Sequence, residues 1–465
     1  MLYHTAILGQ SGSGKSFAIA RLLEELILRT RARIVILDPN GDFAHFYQAA
    51  DSSIWADDEF SEVFRTIDAA TYPPNQKFDN EASFKSAWQN KLFQFLVPGR
   101  RNWSPYLENT APAAPLKLHW KWLDEERDFL LHVDPTLHPR IHQGIITCFR
   151  YINDNSEHYP QGYSLEDCEQ VAESFQSKRV ALASYPDAQS LDTDDWMATA
   201  LQFRQLRKKY YKLWFDGLLK DQYTAPSDLT NYIYNGFRAT PPWQVCVTGL
   251  AGLDTKHALL AANITLQQLW KGALSAWQRA RQRAVAGDTV APEIHTEDDD
   301  VEIDTGDPSA VSIPMTAVRY TDTRVPTFVI IDEAHNFAPK DTLSELQSRV
   351  SDKIATIAAE GRKYGLFLIL ATQRPQKLRP GLLSECENGC LLRLQATAER
   401  ESAGASLDVP VEWVSRVKDF EAGQAIVTGR WAQGSPDVRF APARTTLGGG
   451  GLDKIFWKEP WPFDR

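Results

Sequence analysis

The sequence is poor in cysteine, has no long hydrophobic run and has no excess of positive charge. Its 465 residues include only five cysteines, and an odd number spread along so long a chain argues against a disulfide framework. No segment approaches the roughly 18 consecutive apolar residues of a membrane-spanning helix, so we expect no membrane partner. The net charge of −10 argues against a protein that coats nucleic acid with its whole surface. These features together predict a cytoplasmic globular protein.

The composition is otherwise ordinary, with 43% hydrophobic and 24% charged residues, which excludes collagen-like and wholly disordered chains. Strands and helices alternate in residues 1–50 and 243–445, and this alternation predicts an α/β core, a mainly parallel sheet with helices on both faces. Residues 51–242 have an irregular, helical pattern that is rich in aromatic residues and interrupted by proline. We predict that they form a large, mainly helical insertion that leaves the core and re-enters it.

Charge is distributed unevenly along the chain. Residues 201–285 contain twelve Lys and Arg against four Asp and Glu, whereas residues 286–310 contain nine acids and neither Lys nor Arg. The acidic stretch lacks the apolar residues needed to order itself, so we predict a disordered loop there. The basic residues are either a surface for DNA or a solvated helical face. Residues 446–465 are predicted to form a tail that docks on its own core or on a neighbouring subunit.

The first motif that carries chemistry spans Gly9 to Ser16 and reads Gly-Gln-Ser-Gly-Ser-Gly-Lys-Ser. It fits the phosphate-loop pattern at every fixed position, between a predicted strand and a predicted helix. Glycines let the backbone N–H groups of such a loop point at the phosphates of a nucleotide. We expect Lys15 to contact the β- and γ-phosphates of ATP as a catalytic group, and Ser16 to bind Mg²⁺. The predicted nucleotide-binding residues are Gly9, Ser11, Gly12, Ser13, Gly14, Lys15, Ser16 and Asp38, the last at the end of the second predicted strand.

Two acids follow a later apolar strand, residues 328–331. A nucleotide site of this class needs a carboxylate at the tip of a neighbouring strand to hold the metal's water shell, and we expect Asp332 to be that metal-side residue. Glu333 is then predicted to polarise the attacking water as a general base. The alternative is that both acids merely end a strand.

Two further polar residues are candidates for the same site. Gln373 ends the apolar run at residues 366–371, where open α/β sheets bind ligands, so it is predicted to sense the γ-phosphate or orient the water. Arg362 ends a predicted helix, and we expect it at the same edge of the sheet, where it would reach a neighbouring subunit's nucleotide and stabilise the transferring phosphoryl group. The alternatives are a plain strand end for Gln373 and a local ion pair for Arg362.

These motifs together resemble the HerA branch of the FtsK–HerA ATPases. The resemblance implies a RecA-like P-loop NTPase fold, a ring of six identical subunits, and DNA translocation driven by ATP hydrolysis. Asn40 stands where HerA proteins usually have His, and Asp42 where they usually have Glu. The motifs that carry the resemblance, in chain order, are Gly9 to Ser16, Asp38 to Phe43, Asp332 to Phe337, Glu360 to Gly365 and Ala371 to Pro375.

The chain starts one strand before its phosphate loop, whereas HerA proteins usually carry a small β-barrel there. This short form resembles the HerA-like proteins of bacterial antiphage systems. The resemblance implies an effector partner, a nuclease or a sirtuin-like enzyme, together with double-stranded DNA, and makes the basic segment from Arg204 to Arg283 a candidate pore lining. Two alternatives are a nucleotide-regulated assembly scaffold without motor activity and an ATPase of the conjugation or type IV secretion kind.

Overall fold

Ten strands form one mostly parallel sheet among the residues that the computed structural model describes. Those residues are 3–50, 52–55, 62, 78, 80–98, 113–116, 137–159, 163–177, 184–209, 244–285, 325–432 and 436–447. The order across the sheet is β10-β9-β8-β1-β7-β6-β2-β5-β3-β4. Strand β9 is antiparallel to β8 and β10, and the other neighbours are parallel. The strands are β1 (Thr5–Leu8), β2 (Arg33–Asp38), β3 (Phe93–Pro98), β4 (Ala113–Leu116), β5 (Val245–Gly249), β6 (Thr327–Ile331), β7 (Leu366–Thr372), β8 (Asn388–Leu391), β9 (Gln424–Gly429) and β10 (Asp437–Arg439).

Helices cover both faces of this sheet. One face carries α1 and α3, and the other carries α4 to α8. Short 3-10 turns occur between several of these elements. The helices are α1 (Lys15–Arg29), α2 (Ser52–Trp55), α3 (Glu81–Gln89), α4 (Pro139–Asp154), α5 (Leu165–Gln176), α6 (Thr193–Lys209), α7 (Thr255–Val285), α8 (Glu345–Glu360), α9 (Thr397–Ser406) and α10 (Val411–Arg416).

The central strands are continuous apolar runs because both of their faces are covered. In β2, Val35 and Leu37 pack into the layer that contains α4 to α8, while Ile34 and Ile36 pack into the layer that contains α1. This alternation follows from the two-residue period of a strand, which turns successive side chains to opposite faces. The predicted RecA-like α/β fold, with a mainly parallel sheet and helices on both faces, is confirmed.

Two strands of the main sheet lie inside the segment predicted as a mainly helical insertion. Strand β3 pairs in parallel with β5 through its residues Phe93 to Leu96. Strand β4 pairs in parallel with β3 and forms the edge of the sheet. The prediction for residues 51–242 did not include them, because a short aromatic run that ends at Pro98 does not by itself distinguish a strand from a helix segment. The exact extent of the insertion stays a prediction.

Other sequence predictions concern the acidic segment, the C-terminal tail, the cysteines and membrane-spanning helices. The acidic segment 286–310 lies outside the described residues, and the C-terminal tail is described only as far as Leu447. All five cysteines are buried and free. Of the helices in the described part of the chain, none combines the length and apolarity that a membrane crossing requires.

Candidate functional site

The loop between β1 and α1 forms a cradle of backbone groups at the carboxyl edge of the sheet. Gly12 and Gly14 have φ angles of +72° and +89°, a region that favours glycine. A Cβ on Gly14 would also lie 2.8 Å from the backbone nitrogen of Gly423. The loop leads directly into helix α1 at Lys15, so the positive end of the helix dipole faces the cradle. This arrangement suits the binding of phosphate groups.

Residues distant in sequence fix the shape of this loop. Arg393 follows β8. Its guanidinium donates from Nη2 to the carbonyl oxygen of Gly12 at 3.0 Å, and its backbone carbonyl oxygen accepts from the backbone N–H of Gln10 at 2.9 Å. The Gln395 amide donates to Gln10 Oε1 at 2.9 Å. Arg393 lies 381 residues from Gly12, and no local pattern marks it as part of the site. Sequence reasoning missed these contacts because they depend on the pairing of β8 with β1.

Lys15 is buried between the two acids that follow β6. Its ammonium forms an ion pair with Asp332 and lies 3.2 Å from Glu333 Oε1. Burial alone would lower the pKa of Lys15, but the two neighbouring carboxylates outweigh it and raise that pKa. The structure therefore brings together three residues that the sequence predicted for one site. Their roles in binding and catalysis stay predictions.

Glu333 is held in a backbone conformation that is unusual for a residue with a side chain. Its φ and ψ are 47° and 48°, in the left-handed region. Burial raises the pKa of Glu333, and the charge of Asp332 adds to this, while Lys15 and a hydrogen bond from the backbone N–H of Gln373 oppose it. A buried carboxylate with raised proton affinity, placed beside a phosphate cradle, is suited to act as a general base.

His335 is a neighbour of Glu333 that sequence reasoning did not single out. Its Nδ1 lies 3.3 Å from Glu333 Oε2 and 2.9 Å from the hydroxyl of Thr372. Burial lowers the pKa of His335 to about 4, and the nearby charges of Arg374 and Lys15 add to this effect. The imidazole is therefore neutral at pH 7, and its Nδ1 shares a hydrogen bond with the Thr372 hydroxyl beside Glu333.

Ser16 is paired with an acid from the turn that follows β2. Its hydroxyl donates to Asp42 Oδ2 at 2.9 Å. The Asp38 carboxylate, in contrast, accepts from the backbone amides of Gly41, Asp42 and Phe43 at 2.9, 3.1 and 3.0 Å. Asp38 thus orders the turn that carries Asp42, and its predicted contact with the nucleotide stays a prediction.

The donor set is compatible with a magnesium ion carried by a nucleotide. The buried Oδ2 of Asp332 has no hydrogen-bond partner in the part of the chain that the structure describes, and the Ser16 oxygen lies in the same cradle. Mg²⁺ in such sites is typically held by one or two carboxylates together with substrate phosphates, so a dense cluster of protein ligands is not required. The oxygen chemistry of Ser16 and Asp332 therefore fits this ion.

Gln373 lies at the predicted edge of the sheet, at the end of β7. The Gly9 amide donates to the carbonyl oxygen of Thr372 at 3.2 Å, which brings the end of β7 against the phosphate loop. Together with the backbone hydrogen bond from Gln373 to Glu333, this places Gln373 beside the candidate base. Its predicted role toward the γ-phosphate stays a prediction.

Arg362 lies at the opposite edge of the sheet from its own phosphate loop. It forms an ion pair with Glu387, and its guanidinium lies 4.6 Å from the centre of the Tyr3 ring. Glu387 lies directly before the first residue of β8, and Tyr3 lies two residues before the first residue of β1. The prediction that Arg362 shares an edge with Lys15 is wrong, because α8 must run back from the carboxyl end of β6 to the amino end of β7 for the two strands to be parallel.

Two arginines of the basic segment are neutralised within the helical layer. Arg204 on α6 donates to Glu169 at 2.6 Å and to Glu173 at 3.1 Å, both on α5. Arg207 lies 3.3 Å from Glu166 on the same helix. These contacts favour the structural interpretation of Arg204 and Arg207 over a pore lining.

Two family models match the chain. Residues 2–215 match the model described as the central domain of the helicase HerA, and residues 308–394 match the model of the ATPase family associated with various cellular activities. A probable helicase of Methanocaldococcus jannaschii is 38% identical over 105 residues, which is 22% of this chain and 19% of that protein. The DNA double-strand break repair helicase HerA of Pyrococcus furiosus is 29% identical over 113 residues, 24% of this chain and 20% of that protein. These aligned segments span about a fifth of the relatives' length.

Solved structures with a similar arrangement include VirB4 of Thermoanaerobacter pseudethanolicus. It is 12% identical over 95% of this chain and 90% of its own, with a TM-score of 0.44. The genome packaging NTPase B204 of Sulfolobus turreted icosahedral virus 2, in complex with ATP-gammaS, is 20% identical over 25% of this chain and 55% of its own, with a TM-score of 0.20.

Proposed function

Because this chain is HerA-like, we propose that it is a magnesium-dependent ATPase that couples hydrolysis to work on double-stranded DNA or on a partner effector. The observation that carries the proposal is the position of Lys15, buried against Asp332 and Glu333 at the start of a helix that follows a phosphate loop. A lysine, two strand-end carboxylates and a helix N-terminus are the groups that a P-loop NTPase uses on the β- and γ-phosphates.

In the proposed reaction, the residues of the site have separate roles. The loop amides and the N-terminus of α1 bind the phosphates, and Lys15 exchanges its carboxylate partners for phosphate oxygens. Glu333 takes a proton from water as the water oxygen bonds to the γ-phosphorus and the bond from that phosphorus to the β-γ bridging oxygen breaks, which yields ADP and phosphate. The backbone N–H of Gln373 keeps Glu333 oriented, and the neutral His335 lies beside Glu333. Magnesium, held by Ser16 and Asp332, would supply charge neutralisation of the phosphates.

Substitution of Lys15 tests the ATPase proposal. Lys15→Ala removes the ammonium that meets the β- and γ-phosphates, so we expect nucleotide binding or turnover to be lost. Lys340→Ala serves as the matched control, because Lys340 is exposed and lies outside the phosphate cradle. ATP binding by fluorescence titration and phosphate release are the measurements. Hydrolysis by Lys15→Ala at the wild-type rate would refute the assignment.

The finer parts of the proposal are a ring of six subunits, double-stranded DNA as substrate and a role in antiphage defence with a nuclease or sirtuin-like effector. They are supported by the resemblance to HerA-like proteins and by relatives described as DNA double-strand break repair helicases. Mass measurement of the assembly, alone and with the product of the adjacent gene, tests the ring and the effector. DNA-stimulated hydrolysis tests the motor.

A nucleotide-regulated scaffold is the second candidate function. It is favoured by the ion pairs of Arg204 and Arg207, which reduce the free positive charge that a DNA pore would use. A scaffold would activate its effector in the nucleotide-bound state without DNA-stimulated hydrolysis. Activation by a protein that binds ATP but carries Glu333→Gln would favour the scaffold, and loss of activation would favour the motor.

A further inference from the structure

Ser16 donates its only hydroxyl proton to Asp42, and this direction of the hydrogen bond has a consequence for metal binding. A serine hydroxyl has one donor and two acceptor lone pairs. When the donor is committed to a carboxylate, the lone pairs are left for a cation. We infer that Asp42 is a positioning residue of the magnesium site: it orients the Ser16 oxygen toward the ion, and its charge strengthens ion binding. This inference rests on the proposed ATPase function.

The chain holds Asp42 in place through a turn that is ordered by hydrogen bonds to Asp38. Three backbone amides of the turn donate to the buried Asp38 carboxylate at the end of β2, and one of them is the amide of Asp42 itself. Gly41 takes a φ of +82°, which lets the chain reverse just before Asp42. Phe43, fully buried, anchors the other side. The Asp42 side chain is therefore presented to Ser16 by a rigid support, as is needed for a group that orients a metal ligand.

The charge balance of the site points the same way. Asp42 places a carboxylate on Ser16, next to Lys15, whose ammonium already pairs with Asp332 and Glu333, while the guanidinium of Arg393 lies on the other side of the loop at Gly12. The carboxylate of Asp42 would repel the negative phosphates of a nucleotide unless a divalent cation enters with them. Nucleotide binding should accordingly depend strongly on Mg²⁺, and Asp42 should account for part of that dependence.

The experiment compares nucleotide affinity with and without the metal. A fluorescent ADP analogue is titrated against wild type, Asp42→Ala and Asp42→Asn, in excess Mg²⁺ and in EDTA. We expect wild type to bind more tightly with Mg²⁺, and Asp42→Ala to lose about 10-fold to 100-fold of that enhancement while its affinity in EDTA is unchanged or higher. Asp42→Asn keeps the shape and an acceptor oxygen but loses the charge, so it should fall between the two.

Controls separate this inference from the ATPase proposal and from a folding defect. Asp408→Asn, at an exposed position outside the site, should bind like wild type. Lys15→Ala should weaken binding in both buffers, whereas an Asp42 variant should act only on the Mg²⁺ enhancement. If both Asp42 variants keep the full enhancement, Asp42 only supports the helix start and the inference is wrong. If wild type binds no nucleotide in either buffer, the ATPase proposal itself fails.

Discussion

At the scale of single residues, Glu333 carries backbone strain at the centre of the site. Glu333 and Asp408 are the non-glycine residues with positive φ among those the structure describes, at 47° and 52°. A side chain in this region costs about 1 kcal/mol or more relative to glycine. Strain of this kind persists where surrounding contacts impose it. Here the contacts of the Glu333 side chain are with the Lys15 ammonium and the backbone N–H of Gln373.

We therefore predict that Glu333→Gly is more stable than Glu333→Ala by about 1 kcal/mol, although neither variant hydrolyses ATP. Asp408 provides the matched control, since Asp408→Gly should exceed Asp408→Ala by a similar amount while hydrolysis is retained. Denaturant unfolding gives the stabilities, and phosphate release gives the activity. Equal stability of the two Glu333 variants would show that the local backbone relaxes and that the strain is absent.

His4 is a second residue with a testable property, the pH dependence of stability. Its Nδ1 accepts a hydrogen bond from the Leu368 amide at 2.9 Å, which requires the neutral ring. Burial lowers the pKa of His4 to about 4, and the charge of Arg362 adds to this. The folded pKa lies below the unfolded value, so the stabilisation is present above about pH 6.5 and is lost as the pH falls toward 4, by up to about 3 kcal/mol.

The prediction for His4 is a flatter pH profile after substitution. The free energy of unfolding of wild type should fall between pH 6.5 and pH 4, and His4→Gln should remove part of that fall because glutamine does not titrate there. His138→Gln, at an exposed histidine, should keep the wild-type profile. An unchanged slope in His4→Gln would mean that other groups account for the acid sensitivity.

At the scale of secondary structure elements, the contact between α5 and α6 compensates the charge of two arginines of the basic segment. Arg204 and Arg207 are bound to acids of α5. Partly exposed ion pairs of this type contribute little to folding, about 1 kcal/mol or less, but they do compensate charge. A helix whose arginines are compensated attracts phosphates weakly.

We predict that Arg204→Ala leaves DNA affinity within about twofold of wild type and leaves its dependence on salt unchanged, because a true phosphate contact would reduce the salt slope by about one. Lys208→Ala, at an exposed lysine of the same helix, is the comparison. Binding to a short duplex at several salt concentrations is the measurement. A reduced salt slope for Arg204→Ala would restore the pore interpretation.

The path of α8 shows why an element can carry a residue away from the site that its motif suggests. The helix starts near the carboxyl edge after Asp332 and Glu333 and ends at the amino edge before β7. Arg362 follows its last turn and is therefore separated from Lys15 by the length of a strand. Seven residues of β7 correspond to roughly 23 Å at about 3.3 Å per residue.

At the scale of the whole molecule, this separation means that Arg362 could contact a nucleotide only in another copy of the chain. An arginine at the amino edge can contact a nucleotide at the carboxyl edge of a neighbour through a heterologous, head-to-tail interface, which generates a ring when the rotation between subunits closes. In a single chain Arg362 is engaged by Glu387 and by the ring of Tyr3. Assembly would have to compete with these contacts.

We predict that Arg362→Ala binds ATP but hydrolyses it about 10³-fold more slowly, if the arginine stabilises the phosphoryl group of a neighbour. Mixing Arg362→Ala with Glu333→Gln should then restore partial activity, because some interfaces pair an intact Glu333 with an intact Arg362. Arg430→Ala is the matched control, since Arg430 also lies near Tyr3, at 5.5 Å, and near Glu387. Exchange of subunits without recovery would contradict a role between subunits.

The sequence by itself determined the local part of the site and the class of the fold. A phosphate loop is a continuous motif whose glycines, lysine and serine act through their own backbone and the helix that follows, so Gly9 to Ser16 can be identified without a partner. The two acids after β6 can be identified in the same way, because carboxylates that directly follow an apolar run are expected at the end of a strand. The alternation of strands and helices predicts a parallel sheet because parallel strands require crossovers.

Only the tertiary structure decided which distant residues meet this local site. Asp42 reaches Ser16, and Arg393 holds Gly12, because β2 and β8 take particular places in the sheet, and strand order is not written in any local pattern. Arg362 lies at the far edge, and β3 joins the sheet, for the same reason: both depend on the direction and pairing of whole elements. Motifs are short-range and strand pairing is long-range, and this difference separates what could be predicted here from what could not.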